Sequence, residues 1–236
     1  MRKKLTALLA IGASLAALVA VAHAGPVTVA FYAFSSRGDV LAFQKVQGAK
    51  CDRSWRQRKA MQIRVGGKTT HCVLRSSVVA DSSDVKADSE ILATASISGA
   101  TPANRRKKAF VGVGARQSEN AGYELRVRPY ARRWQLFRDP KGAGQGSVLF
   151  RSGKGKFIRP GLKTNNLALR AFDFGRADTS LSVRVNGKLV VSVTDTGNSQ
   201  PDGRRTVVTT GVKGTGAGGG VVGVFDNVSV RVPNPF

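Results

Sequence analysis

Short runs of β-branched and apolar residues recur along the chain, separated by Gly, Pro, Asn and Asp. No long stretch carries the three-to-four spacing of an amphipathic helix. Met61–Val65, Thr69–Leu74, Glu90–Ile97, Phe110–Arg116, Tyr123–Arg128, Trp134–Arg138 and Val148–Arg151 read as strands. So do Leu167–Phe174, Leu181–Val185, Lys188–Thr194, Arg205–Thr210 and Val221–Val232. That is about a dozen strands, the pattern of a β-sandwich or barrel. In Tyr123-Glu124-Leu125-Arg126-Val127-Arg128 the apolar residues alternate with charged ones, so Tyr123, Leu125 and Val127 share one face and Glu124, Arg126 and Arg128 the other. Leu189-Val190-Val191 is apolar on both faces and predicts a central strand covered on both sides. Asn186-Gly187 predicts a two-residue hairpin, because both turn positions need positive φ; Gly66-Gly67 gives a second hairpin signal. Pro102–Lys108 reads as a basic loop and Gly214–Gly220 as a Gly-rich, flexible connection.

The first residues form a separate unit. Arg2, Lys3 and Lys4 precede an uncharged Ala/Leu-rich run from Leu5 to Val21, and Ala22-His23-Ala24 follows as a small-x-small site. This is the layout of a secretory signal peptide cleaved after Ala24; the alternative is a short membrane anchor. Residues 25–236 then form one domain, with no later segment apolar enough to span a bilayer, and the expected location is extracellular or cell envelope. In an oxidising compartment Cys51 and Cys72 are most simply used as one disulfide. The rival reading takes His71-Cys72 as a catalytic or metal-binding pair, although His71 is the one histidine left after cleavage.

Composition adds charge. The 236 residues hold 38 Lys+Arg against 14 Asp+Glu, a formal net charge of +24, and removal of the leader leaves the chain strongly basic. An anionic polymer or surface is the partner such a charge predicts. Nucleic acid fits the charge, but export and the lack of a nucleic-acid motif argue against it as a specific partner.

From Phe110 to Val232 a set of ordered motifs is recognisable. Ala109–Arg116 is followed by Gly122–Arg128, Arg133–Arg138, Asn165–Ala171, the Leu181–Val190 hairpin with Val-Asn-Gly-Lys at its turn, Val193-Thr194-Asp195, and Gly223–Val232 with Phe-Asp-Asn-Val. This order resembles the concanavalin A-like lectin/glucanase superfamily, in its laminin G-like bacterial branch. The resemblance implies an all-β jelly-roll sandwich of two antiparallel sheets, with ligands on the concave sheet or its rim loops and the first half supplying the remaining strands. It leaves function open, because one fold hosts lectins, hydrolases, lyases and adhesion modules.

Glucanases of this superfamily carry Glu-x-Asp-x-x-Glu or Glu-x-Asp-x-Glu on one strand, in keeping with the paired carboxyls of glycoside hydrolysis. After the leader the chain has Glu90, Glu119 and Glu124, none with an acid two residues on. Glu124 and Asp173 are a pair that separate strands could bring together; the ordinary reading of Glu124 is a solvated partner of a neighbouring Arg. Lyases of the fold resemble a pattern with Arg-x-Glu-x-Arg and Gln-Ile-His. Here Gln62-Ile63-Arg64 places Arg where the His should stand, and no Arg lies two before Glu124. Tyr123 and Tyr130 remain as candidate proton carriers. Asp195, Asn198, Asp202 and Asp226-Asn227 are the oxygen-rich stretches a calcium ion would use, though Asp and Asn in turns more often cap their own backbone. No cofactor or metal is expected, and no catalytic residue is assigned.

The expectation is therefore a secreted, non-catalytic protein that binds carbohydrate, a glycan or acidic cell-surface polymer, through Arg126, Arg128, Arg170 and Arg184. Arg116 and Arg138 are counted with them, and Trp134 is either a sugar-stacking platform or a core residue. The alternatives are a polysaccharide-degrading hydrolase or lyase of the same fold, and a structural protein-interaction module.

Overall fold

The computed structural model describes residues 27–232 apart from 49, 57–58, 80–87, 119–120, 140–147, 175–177, 198–199, 202 and 215–218. Residues 1–26, where a leader and its cleavage site are expected, and the centre of the Gly214–Gly220 stretch lie outside the described residues. Fifteen strands run β1 Val27–Tyr32, β2 Phe43–Gln47, β3 Cys51–Arg56, β4 Ala60–Val65, β5 His71–Val79, β6 Ser89–Ile97, β7 Ala109–Gln117, β8 Gly122–Arg128, β9 Arg133–Asp139, β10 Val148–Lys154, β11 Asn165–Phe174, β12 Asp178–Val185, β13 Lys188–Asp195, β14 Arg205–Val212 and β15 Val221–Val232. Two short helices, α1 Arg37–Leu41 and α2 Ala103–Arg106, sit in connections. No helix among the described residues is long and apolar enough to cross a membrane.

The strands form two antiparallel sheets packed as a jelly-roll sandwich. Sheet A has the order β13-β12-β11-β6-β15-β4-β3, with β1 also paired to β15. Sheet B has the order β10-β9-β8-β7-β14-β5-β2. Alternation decides what lies between them. Ile91, Ala93, Ala95 and Ile97 of β6, with Leu167, Leu169, Leu181 and Val183, face inward from sheet A. Val111, Val113, Tyr123, Leu125, Val127 and Leu136 meet them from sheet B. Cys51 of β3 and Cys72 of β5 join the two sheets through a disulfide with a Cα–Cα distance of 5.7 Å, the pairing expected from the sequence.

Three local expectations need correction. Gly66-Gly67 does not turn a hairpin: β4 belongs to sheet A and β5 to sheet B, so the segment crosses the sandwich. The apolar sets of both strands still face one core, which is why the alternation on each side looked like a pair. Leu189-Val190-Val191 lies on β13, the edge of sheet A, with Leu189 45% exposed. The Asn186-Gly187 turn forms as expected, with φ of 51° and 80°, and hangs this strand outside β12. The Pro102–Lys108 loop contains α2, tied down where Arg106 donates to the carbonyls of Thr101 and Gly99 at 2.9 and 2.7 Å.

Candidate functional site

The alternation that sends Tyr123, Leu125 and Val127 into the core turns Glu124, Arg126 and Arg128 to the outward face of sheet B. Register assembles the rest. Glu124 lies opposite Phe137 on β9 and Gly114 on β7; Arg126 lies opposite Gln135 and Gly112. Gly112 and Gly114 in turn face Thr209 and Val207 of β14, which face Val73 and Arg75 of β5. Gly112 is required here: a Cβ would stand 2.6 Å from the Thr209 hydroxyl and against the Leu125 carbonyl. Its absence lets the longer side chains on either side meet over β7.

Glu124 is the hub. Arg126 donates to it twice, from Nε to Oε1 at 2.8 Å and from Nη2 to Oε2 at 2.7 Å. The Thr209 hydroxyl donates to Oε1 at 2.7 Å, and His71 Nε2 lies 3.0 Å from the same oxygen. A carboxylate only accepts, so His71 carries its proton on Nε2. Burial alone would raise the pKa of Glu124. The charge of Arg126 and the hydrogen bonds from Arg126 and His71 outweigh it and hold the carboxyl well below the usual carboxylate range. Arg126 is shifted upward: burial works against its charge, and Glu124 outweighs burial. Its guanidinium also sits 4.1 Å from the Phe137 ring centre and 5.1 Å from that of Phe110. Glu124 is thus an ionised, four-fold acceptor that fixes Arg126 and the His71 tautomer, and it has no proton to give as a general acid.

Beside the hub runs a row of like charges. Arg128 lies opposite Arg133, and Arg133 opposite Lys154 on the edge strand. Like charges directly across a sheet repel. Burial, and then Arg133, push the pKa of Arg128 below its ordinary value. Neither Arg128 Nε nor Arg133 Nε has a hydrogen-bond partner among the described residues, although both atoms are buried. An anion bound over this row would relieve the repulsion.

The residues proposed from sequence separate into three places. Arg126 and Arg128 lie on this face. Arg170 and Arg184 lie on the outward face of sheet A, across the sandwich, so the four do not line one surface. Arg116, Arg138 and Trp134 point inward, which corrects their assignment. At Arg116 the backbone has φ of 53°, beside the register shift between β7 and β14. The shift breaks the alternation and sends the guanidinium between the sheets to Asp88 at 2.9 Å, Asp173 at 2.6 Å and the Thr179 hydroxyl at 2.8 Å. Arg138 shares the inward side of β9 with Trp134 and Leu136 and pairs with Asp195 at 2.9 Å. Trp134 is 6% exposed and packs in the core.

Asp173 is therefore engaged by Arg116 between the sheets and does not meet the outward-facing Glu124. Glu124 is 3% exposed, so it is a buried partner of Arg126 and not a solvated one. Tyr123 donates to Asp195 at 2.7 Å; burial and this bond raise its pKa, which removes it as a base near neutrality. No group of three His, Cys, Asp or Glu that could hold a metal exists among the described residues. Asp195 is committed to Tyr123 and Arg138, Asp226 accepts from the Asn227 backbone N–H, and Asn198 and Asp202 lie outside the described residues.

His71, Thr209, Phe110, Phe137, Arg133 and Lys154 were not singled out from sequence as parts of one site. The signal available was parity: each but Lys154, whose strand β10 holds no buried residue, alternates with a core residue on its own strand. Which strands lie side by side was not readable.

No family model and no curated protein matches the sequence. Solved structures do. The chain is similar to a carbohydrate-binding module, CBM66, from Bacillus subtilis, with TM-score 0.52 and 14% identity over 80% of this chain and 95% of that one. It is similar to an endo-1,3-β-glucanase from Streptomyces sioyaensis, with TM-score 0.56 and 9% identity over 89% and 98%. It is also similar to the alginate lyase Aly36B, with TM-score 0.51 and 12% identity over 82% and 88%. These likenesses show the fold alone, a jelly-roll sandwich. A module, a hydrolase and a lyase share it, so they do not choose among activities.

Proposed function

We propose that this chain is a secreted, laminin G-like protein that binds acidic glycan on the outward face of sheet B without cleaving it. The observation that carries the reading is the row Arg128–Arg133–Lys154, three mutually repelling cations in register across β8, β9 and β10. The neighbouring Phe137 ring, half-buried beside Arg126, is the aromatic surface this face offers to the C–H side of a sugar ring. The formal charge of +24 adds long-range attraction to any anionic polymer. The same reading places the protein outside the cell or in its envelope as one folded domain after cleavage at Ala24.

The test is binding of the oxidised protein to carboxylated, sulfated and neutral oligosaccharides at low and high salt. Wild-type protein should retain a subset of acidic glycans at high salt. Arg128→Gln/Arg133→Gln should weaken that binding by about tenfold or more. Equal binding by wild type and variant would sink the reading.

A second reading rests on the His71–Glu124 hydrogen bond. A histidine whose tautomer is fixed by a carboxylate is poised to move a proton at Nδ1, as a polysaccharide lyase would need. Incubation with acidic polysaccharides, read by the ultraviolet absorbance of unsaturated ends, separates the two. Absorbance that rises with wild type and not with His71→Ala would replace binding with cleavage.

A further inference from the structure

The outward face of sheet A carries a recess that the site on sheet B does not use. Register lays a single lateral row across five strands: Phe31 on β1 faces Ser229 on β15, Ser229 faces Leu92 on β6, Leu92 faces Ala168 on β11, and Ala168 faces Arg184 on β12. The three central side chains are short or apolar and the two ends are large. The result is a trough of about 380 Å³. Four strand spacings, roughly 19 Å, separate its ends. That volume lies within the range of small-ligand pockets.

The lining has a definite chemistry. Phe31 is 60% exposed, an unusual position for a large aromatic ring. Leu92 and Ala168 make an apolar floor beside it. Next to the floor, the Thr94 hydroxyl donates to Asn166 Oδ1 at 3.1 Å, so the Asn166 side chain keeps its amide N–H groups as donors. Arg184 and Arg231 both line the trough, and none of its lining residues is acidic. Arg184 donates once, from Nη1 to the Gly187 carbonyl at 3.3 Å. Arg231 reaches Glu90 only at 3.8 Å, and its Nε has no partner among the described residues. An aromatic face, an amide and hydroxyl pair and two under-used guanidinium groups are complementary to a sugar ring that bears an acidic substituent.

We infer that this trough is a second, independent binding site for a short acidic oligosaccharide, with Phe31 against a ring and Arg231 at one end, and Arg184 on a carboxylate or sulfate at the other. The inference shares its ligand class with the reading of sheet B but rests on different residues across the sandwich. Two such faces, back to back, make one copy of the chain bivalent toward a polymer, so it would bridge glycan chains without forming an oligomer.

Phe31 and Arg184 are exposed, so Phe31→Ala and Arg184→Gln should fold, and matching thermal midpoints verify it. Backbone amide shifts of the full mature chain are followed on titration with a uronic-acid trisaccharide, a sulfated trisaccharide and a neutral one. Two separate sets of shifting amides are expected with an acidic trisaccharide, one on sheet B and one around Thr94, Asn166 and Arg184. Phe31→Ala or Arg184→Gln should weaken the second set by about tenfold and leave the first unchanged. The uronate and sulfate arms identify which acidic group is taken; equal shifts with the neutral sugar would overturn the roles of Arg184 and Arg231. Shifts confined to sheet B would overturn this inference alone. Shifts on neither face would overturn both readings.

Discussion

On the outward face of sheet B, Val73, Phe110, Glu124, Val207 and Thr209 are all buried. On the outward face of sheet A, Leu92 and Thr94 are half-buried, and Asn166, Arg170 and Arg184 are exposed. Both faces carry arginine opposite or beside a glutamate. On sheet B, Arg126 and Glu124 meet in a two-fold contact at 2.7 and 2.8 Å under aromatic rings. On sheet A, Arg231 and Glu90 approach only to 3.8 Å in partial contact with water. The same residue types thus serve two purposes. A buried, saturated pair fixes geometry, whereas a loose, wet pair leaves its cation open to a ligand.

The largest effect should come from breaking the closed pair. Glu124→Gln leaves the Arg126 guanidinium buried without its counter-charge, and urea unfolding should show a loss of about 3–5 kcal/mol. The matching change on sheet A, Glu90→Gln, should cost less than about 1 kcal/mol. Comparable losses at both sites would erase the contrast between the faces.

Next is the disulfide, which ties sheet A to sheet B and should matter equally to both. Replacing Cys51 and Cys72 with Ser should lower stability by about 3 kcal/mol, measured against the oxidised protein. A smaller change follows from pH. The Glu124 carboxyl is held below its unfolded value, so the stability it contributes is fully present above the ordinary glutamate pKa of about 4.3 and is lost as pH falls below it. The stability gap between wild type and Glu124→Gln should stay constant above about pH 5 and close progressively in stronger acid. A gap that closes already between neutrality and pH 5 would mean that Glu124 is not held ionised. Smallest of all, Phe31→Ala should leave stability within about 0.5 kcal/mol of wild type, since the ring is 60% exposed.

Much of this architecture is readable from alternation. The strands from Glu90 onward, the inward set Tyr123, Leu125 and Val127, and the Asn186-Gly187 turn follow from period-two patterning and turn chemistry. β2 and β3 were not singled out, because Lys45, Asp52, Arg53 and Arg56 interrupt the apolar signal there; β1, Val-Thr-Val-Ala-Phe-Tyr, was readable and missed. Arg138 was readable and missed: it shares parity with Trp134 and Leu136, and that places it inward. Arg116 was not readable, since a register shift against β14 reverses its side. The Glu124 hub is a non-local object. His71 and Thr209 reach it across sheet neighbours 53 and 85 residues away in sequence, and no local spacing encodes that pairing.

The most direct test of the account is a calorimetric titration of the oxidised protein with an acidic oligosaccharide at high salt, wild type beside Arg128→Gln/Arg133→Gln. The account predicts saturable wild-type binding that survives salt and falls about tenfold or more in the variant, because an in-register row of cations forms a shaped site. Wild-type binding that disappears in salt, with the variant indistinguishable from it at low salt, would contradict it and leave only the net charge at work.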